Sequence, residues 1–167
     1  MIFQPPRQNY QPLTEREEEY FHLVNCLSCF ERAIKILEEL DGHVDMISTT
    51  LQDAATRLAI IEYAKAYTSA FGSVKYRYKL TPPELSKENF YLHKVVMELR
   101  DKVLAHSDLI PKQGKVHYQP LGSTEPALVS LFTDPTLPST EKLLSLFSET
   151  VGKIKITQQQ LSNALPR

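Results

Sequence analysis

The chain has 167 residues, a formal net charge of -1, 42% hydrophobic residues and 23% charged ones. That length fits one ordinary domain, which buries roughly 70% of its unfolded surface and so holds a core unaided. Nothing global demands a polyanionic partner, two cysteines are too few for a disulfide framework, and no run of ~18 apolar residues offers a membrane span.

Residues 1–13 are polar, carry Pro5, Pro6 and Pro12, and read as an N-terminal extended arm. They lack the basic start and apolar run of a signal peptide, so a cytoplasmic protein is expected. Residues 14–167 read as a single helical domain. Thr14 followed by Glu17 is a capping box that opens the first helix, and Glu15 suits the positive end of its dipole. Tyr20, Leu23, Val24, Leu27, Phe30, Ile34, Leu37 and Leu40 then recur at three- and four-residue steps, as one helical face requires. Asp41-Gly42 stops the helix. A second helix is predicted over about residues 49–71. Leu51, Ala54, Ala55, Leu58, Ile60 and Ile61 form its buried side, and Tyr63, Ala64, Tyr67 and Phe71 extend the stripe to the stop at Gly72.

The segment SVKYRYKL alternates basic with apolar or aromatic residues before Pro82-Pro83. A third helix begins near Pro82 or Ser86 and reaches about Ser107, with Leu92, Val95, Val96, Leu99 and Val103 as its core stripe. Pro111 ends any continuation. Within residues 108–138, rich in proline and glycine, KVHYQ and ALVSLF read as two short strands of a hairpin. The last helix starts at Ser139 or Thr140, runs to about Leu161, and carries Leu143, Leu144, Leu146, Phe147, Val151, Ile154 and Ile156 on its apolar side. The fold class expected is all-α: an up-down bundle of four long helices with an irregular or short β-hairpin insertion before the last helix.

The chemistry-bearing residues gather on the third helix, in LRDKVLAHSD. At about 100° per residue, His106 falls in line with Leu92, Val96, Leu99 and Val103, while His93, Met97, Arg100 and Leu104 form the neighbouring stripe. Arg100 and His106 differ by about 120° in direction and about 9 Å in rise on an ideal helix. A curling Arg side chain, a loosened helix before Pro111, or a two-fold pairing of chains would bring them together. Spacing alone is equally met by Arg100 and Asp101 as a solvated pair and by His106 as a last-turn cation favoured by the helix dipole.

The same string resembles the Arg-x(4–6)-His motif of the HEPN superfamily (higher eukaryotes and prokaryotes nucleotide-binding domains). Arg100 and His106 match the two motif residues, and Asp101 matches the polar residue that follows the Arg. The preceding stretch IIEYAKAYTSAFG, residues 60–72, resembles the helix that packs against the motif helix in abortive-infection-like members. Asp108 stands where members controlled by a nucleotidyltransferase carry Tyr, which argues against that subtype.

The resemblance implies metal-independent RNA cleavage by a homodimer joined through the motif helix, with Leu99 and Val103 at the interface. It also implies a toxin or phage-defence role with an antitoxin protein as a further partner, and no cofactor. His106 is then the candidate general base for the 2′-hydroxyl, since His titrates near neutral pH. Arg100 is the candidate for stabilising the charge of the phosphorane, and Asp101 for orienting Arg100, His106 or a residue of an opposing chain. The expected products are a 2′,3′-cyclic phosphate and a 5′-hydroxyl. Lys102 is solvated or touches phosphate.

Cys26-x-x-Cys29 has metal-like spacing, and His22 shares its side of the helix, but buried packing cysteines are the better reading. Lys75, Arg77 and Lys79, interleaved with Tyr76 and Tyr78, suit contact with a single RNA strand by charge and stacking; an exposed loop whose tyrosines pack on the bundle is the plainer alternative. This loop and the Arg100 end of the third helix are expected to form one basic surface. His43, His93 and His117 show no partner pattern, and no phosphate loop, dinucleotide fingerprint or nucleophile elbow is present. Two further readings remain: a non-catalytic HEPN-like bundle that binds nucleotide, RNA or protein, and an unrelated helical interaction module.

Overall fold

The computed structural model describes residues 13–75, 77–101, 114–117, 128–131 and 136–165. The N-terminal arm up to residue 12 lies outside the described residues, as do Lys102, Val103, His106 and the end expected for the third helix near Ser107. The described residues are mostly helical: α1 (Glu15–Gly42), α2 (Thr49–Lys65), α3 (Lys87–Leu99) and α4 (Thr140–Asn163). Between α3 and α4, β1 (Gly114–His117) pairs antiparallel with β2 (Leu128–Leu131), Gly114 opposite Leu131. No described helix is long and apolar enough to cross a membrane.

Helix starts follow local chemistry. Thr14 accepts from the Glu17 amide while the Glu17 carboxylate accepts from the Thr14 amide at 2.7 Å, so two otherwise unpaired donors are satisfied reciprocally. Ser48 and Ser86 cap α2 and α3 through the amides of Leu51 and Asn89. Glu149 of α4 adds a cap from another helix. It accepts from the Ser86 amide at 2.7 Å, the Ser86 hydroxyl at 2.9 Å and the Asn89 amide group at 2.5 Å.

α2 departs from the sequence expectation at both its end and its face. It stops at Lys65 rather than near Phe71, because the Thr68 hydroxyl and amide both take the Lys65 carbonyl. Its buried side is Thr56, Ala59, Ile60, Tyr63 and Ala64, continued past its end by Ala66 and Tyr67. Leu51, Leu58 and Phe71, expected inside, are 58%, 48% and 66% exposed. The rotation brings the largest rings inward. Tyr63 stacks on Phe147 at 4.4 Å, and Phe30 meets both Tyr63 and Tyr67. An aromatic ring buries more apolar area than a leucine and sets the orientation of the helix.

The core joins Leu23, Leu27, Phe30, Ala33 and Leu37 of α1 with Ile60 and Tyr63 of α2, and with Val96 and Leu99 of α3. α4 contributes Leu143, Leu146, Phe147, Val151 and Ile154. Ile156, expected on that apolar side, is 59% exposed. Leu99 packs in this core, which removes it from the surface that the dimer expectation assigned to it.

Candidate functional site

The contacts fix which ends of the helices meet. Along α1, Glu18 meets Ser73, Cys26 meets Ala66, and Arg32 meets Glu62. Arg16 reaches the Ala164 carbonyl and Glu31 pairs with Lys155, so the start of α1 lies against the end of α4. Ser86 and Asn89 sit at Glu149, and Asn89 also reaches Ser145, so α3 advances toward the start of α4.

Arg100 follows directly on α3, and its amide still donates to the Val96 and Met97 carbonyls. Arg100 keeps right-handed helical dihedrals, φ -58° and ψ -49°. The guanidinium pairs with the Asp101 carboxylate, and the Arg100 side chain keeps 30% of its exposure. Seven residues separate Arg100 from His93, nearly two full turns, so both leave α3 in almost the same direction.

His93 itself is buried, and no partner for it was legible in the sequence. Its Nδ1 shares a 2.9 Å hydrogen bond with Tyr63 Oη. Tyr63 Oη lies 3.3 Å from both Tyr67 Oη and Thr150 Oγ1, and the Thr150 hydroxyl donates to the Leu146 carbonyl at 2.8 Å. Burial pushes the Tyr63 phenol up to about 12 and holds the imidazole of His93 below its usual value. Both groups are therefore neutral at pH 7. The visible signal for this cluster was weak: Tyr63 and Tyr67 at helical spacing, and a His on the stripe that leads to Arg100.

The basic loop is organised by one carboxylate. Glu18, buried on α1, accepts from the Ser73 amide at 2.6 Å, the Val74 amide at 3.0 Å, the Tyr78 hydroxyl at 2.9 Å and the Ser73 hydroxyl. The Ser73 hydroxyl first, then Tyr78 and the two amides, hold the carboxyl down to about 2 against the opposing effect of burial. Ala70 and Tyr78 exchange both backbone hydrogen bonds at 2.8 Å. Tyr78 turns inward, leaving Lys75, Arg77 and Lys79 exposed. These three cations edge a groove of about 520 Å³ whose opposite side is α1 at Glu19 and His22 and α4 at Ile154 and Leu161.

The loop and Arg100 do not form one basic surface. The groove sits beside Leu23 at the start of α1, while Tyr63 joins Phe30 to His93 further along. Leu23 to Phe30 and His93 to Arg100 are each seven residues, or about 10 Å of helical rise, and they run in the same direction. The two sites are thus separated by roughly 20 Å along the bundle. Lys102 and His106 lie outside the described residues.

The cysteines pack. Cys26 is buried, donates to the Ala66 carbonyl at 3.5 Å and lies 3.6 Å from His22 Nε2; burial pushes its thiol up to about 12. Cys29 accepts from the Arg32 guanidinium at 3.2 Å. Among the described residues no three His, Cys, Asp or Glu side chains converge as a metal site.

The chain was compared with family models, with curated proteins and with solved structures, and none matches.

Proposed function

We propose that this chain is a HEPN-like, metal-independent endoribonuclease, a toxin or phage-defence effector of the cytoplasm. The observation that supports it best is Arg100. Its guanidinium is partly buried, held by Asp101, and emerges at the end of α3. A planar guanidinium fixed in this way offers two donors to a phosphorane without reorganising. His106 acts as general base on the 2′-hydroxyl, and Asp101 orients Arg100. In this reading the helices follow an up-down order with the β1–β2 hairpin as an insertion, and two chains pair through α3. The outward side of α3 offers Phe90 and Tyr91, 45% and 71% exposed, with Lys94 over the Phe90 ring at 4.4 Å. RNA is the substrate and an antitoxin protein the controlling partner.

The test is cleavage of a mixed RNA pool in EDTA by wild type, Arg100→Ala and His106→Ala. Cyclic-phosphate ends from wild type, with both variants folded and inactive, are the expected result. Equal cleavage by all three removes the proposal. The groove edged by Lys75, Arg77 and Lys79, remote from Arg100, favours a second reading: a non-catalytic bundle that binds nucleotide, RNA or a protein partner.

A further inference from the structure

The groove at the far end of the bundle has a chemistry of its own. Arg77 and Lys79 flank the inward-facing Tyr78 and so project on the same side of an extended segment, about 6–7 Å apart. The Lys75 ammonium is 3.6 Å from Glu15, and the Arg77 guanidinium lies over the Phe71 ring at 5.8 Å. Lys79 has no ion pair among the described residues. Glu18, which holds the loop, is engaged by the loop's own amides and hydroxyls. The groove is also lined by the aliphatic side chains of Leu80, Ile154 and Leu161. Thr157 and Glu19 add polar atoms to its edge. About 520 Å³ is the volume of a small-molecule site rather than of a surface dimple.

A ligand that satisfies all of this carries an anion on one side, a flat apolar body, and a hydrogen-bond donor aimed at a carboxylate. One nucleotide of a single strand meets each requirement. Its phosphate meets Arg77 and Lys79, its base covers the aliphatic lining, and an exocyclic amino group of adenine, cytosine or guanine donates to Glu19.

We propose that this groove is a single-strand RNA exosite. It binds one nucleotide roughly 20 Å from Arg100 and so sets affinity separately from chemistry; the choice of RNA rests on the ribonuclease reading. At ~3.4 Å per stacked nucleotide, a strand reaching both places needs about six nucleotides.

The experiment uses the full chain, a labelled 2′-O-methyl RNA 12-mer that cannot be cut, and anisotropy titrations at several salt concentrations in EDTA. Lys75→Gln/Arg77→Gln/Lys79→Gln, all at exposed positions, is expected to bind about tenfold or more weakly. Its dependence of log K on log salt should flatten by about 0.7, the change for one phosphate contact to a single strand. Glu19→Ala, with the cations intact, should lose a preference for cytosine- or adenine-containing strands over oligouridine. A triple variant that matches wild type in affinity and salt slope overturns the exosite, as does polyglutamate competing as well as RNA, or no RNA binding by wild type. Cleavage is scored separately on ordinary RNA. Arg100-dependent cleavage with an unaffected triple variant refutes the exosite alone. Cation-dependent binding with no cleavage refutes the ribonuclease reading alone.

Discussion

Tyr63→Phe removes one oxygen from the centre of the bundle and leaves the ring that stacks on Phe147 in place. The loss falls on His93, whose Nδ1 is bonded to that oxygen at 2.9 Å and which is 6% exposed. Whichever nitrogen of the imidazole carries the proton, its Nδ1 is left without that partner, and the buried Tyr67 Oη loses its 3.3 Å contact as well, at a cost of about 1–3 kcal/mol. Thr150 keeps its bond to the Leu146 carbonyl, so its share is small. The ring keeps its apolar burial, and no cavity larger than a hydroxyl opens. The expected destabilisation is about 2 kcal/mol, or roughly 4–8 °C in Tm for a chain of this length. Urea unfolding followed by circular dichroism measures it, with the m-value unchanged if the native state keeps its compactness. A double-mutant cycle with His93→Leu isolates the pair, and a coupling above ~0.5 kcal/mol is expected for residues in contact. A Tyr63→Phe variant within 0.5 kcal/mol of wild type refutes a stabilising role for this bond.

Three further outcomes follow from the same contacts. Gly72→Ala places a methyl 2.5 Å from Tyr78 Cε2 and 2.9 Å from the Lys75 carbonyl, and against the Glu18 carboxylate; the loop opens, and trypsin cuts after Lys75, Arg77 or Lys79 faster than in wild type. Stability falls with acid in two stages. Burial keeps His93 and His22 below their usual value of 6.5, so the unfolded chain binds protons first and stability declines as pH drops below 6.5. Glu18, held at about 2, adds a second loss as pH falls from its ordinary value of 4.5 toward 2, and Glu18→Gln should abolish much of that second stage in pH-dependent melts. Leu58→Lys, on the exposed side of α2, changes stability by less than ~0.5 kcal/mol, whereas Ile60→Lys, wholly buried two residues on, prevents folding or costs several kcal/mol; expression and thermal melts separate the two.

The catalytic candidates were legible as a motif but only partly as a place. Arg100 and Asp101 read from LRDKVLAHSD stand together at the exit of α3. The cations of the basic loop were legible from their alternation with tyrosines, yet their distance from Arg100 was not, because it depends on which helix ends meet. Glu18 was invisible as an anchor. One more acidic residue in EREEE carries no mark that five loop donors will converge on it from 55 or more positions away.

By itself the sequence determined where helices begin and the inward face of three of the four. Capping residues and three-to-four spacing are local, and Thr14, Ser48 and Ser86 act within one turn of their own helix. Ile60, Tyr63, Ala64 and Tyr67 were already on the stripe read from the sequence; the tertiary structure decided where α2 ends and that Leu51 and Leu58 stay outside. Leu51 and Leu58 had the hydrophobicity, but Tyr63 and Tyr67 had rings to fill the space left by Phe30 and Phe147 and hydroxyls that needed His93 and Thr150. A helix with two candidate faces buries the one whose shape and hydrogen bonds its neighbours can satisfy, and those neighbours lie 30 to 87 residues away in the chain.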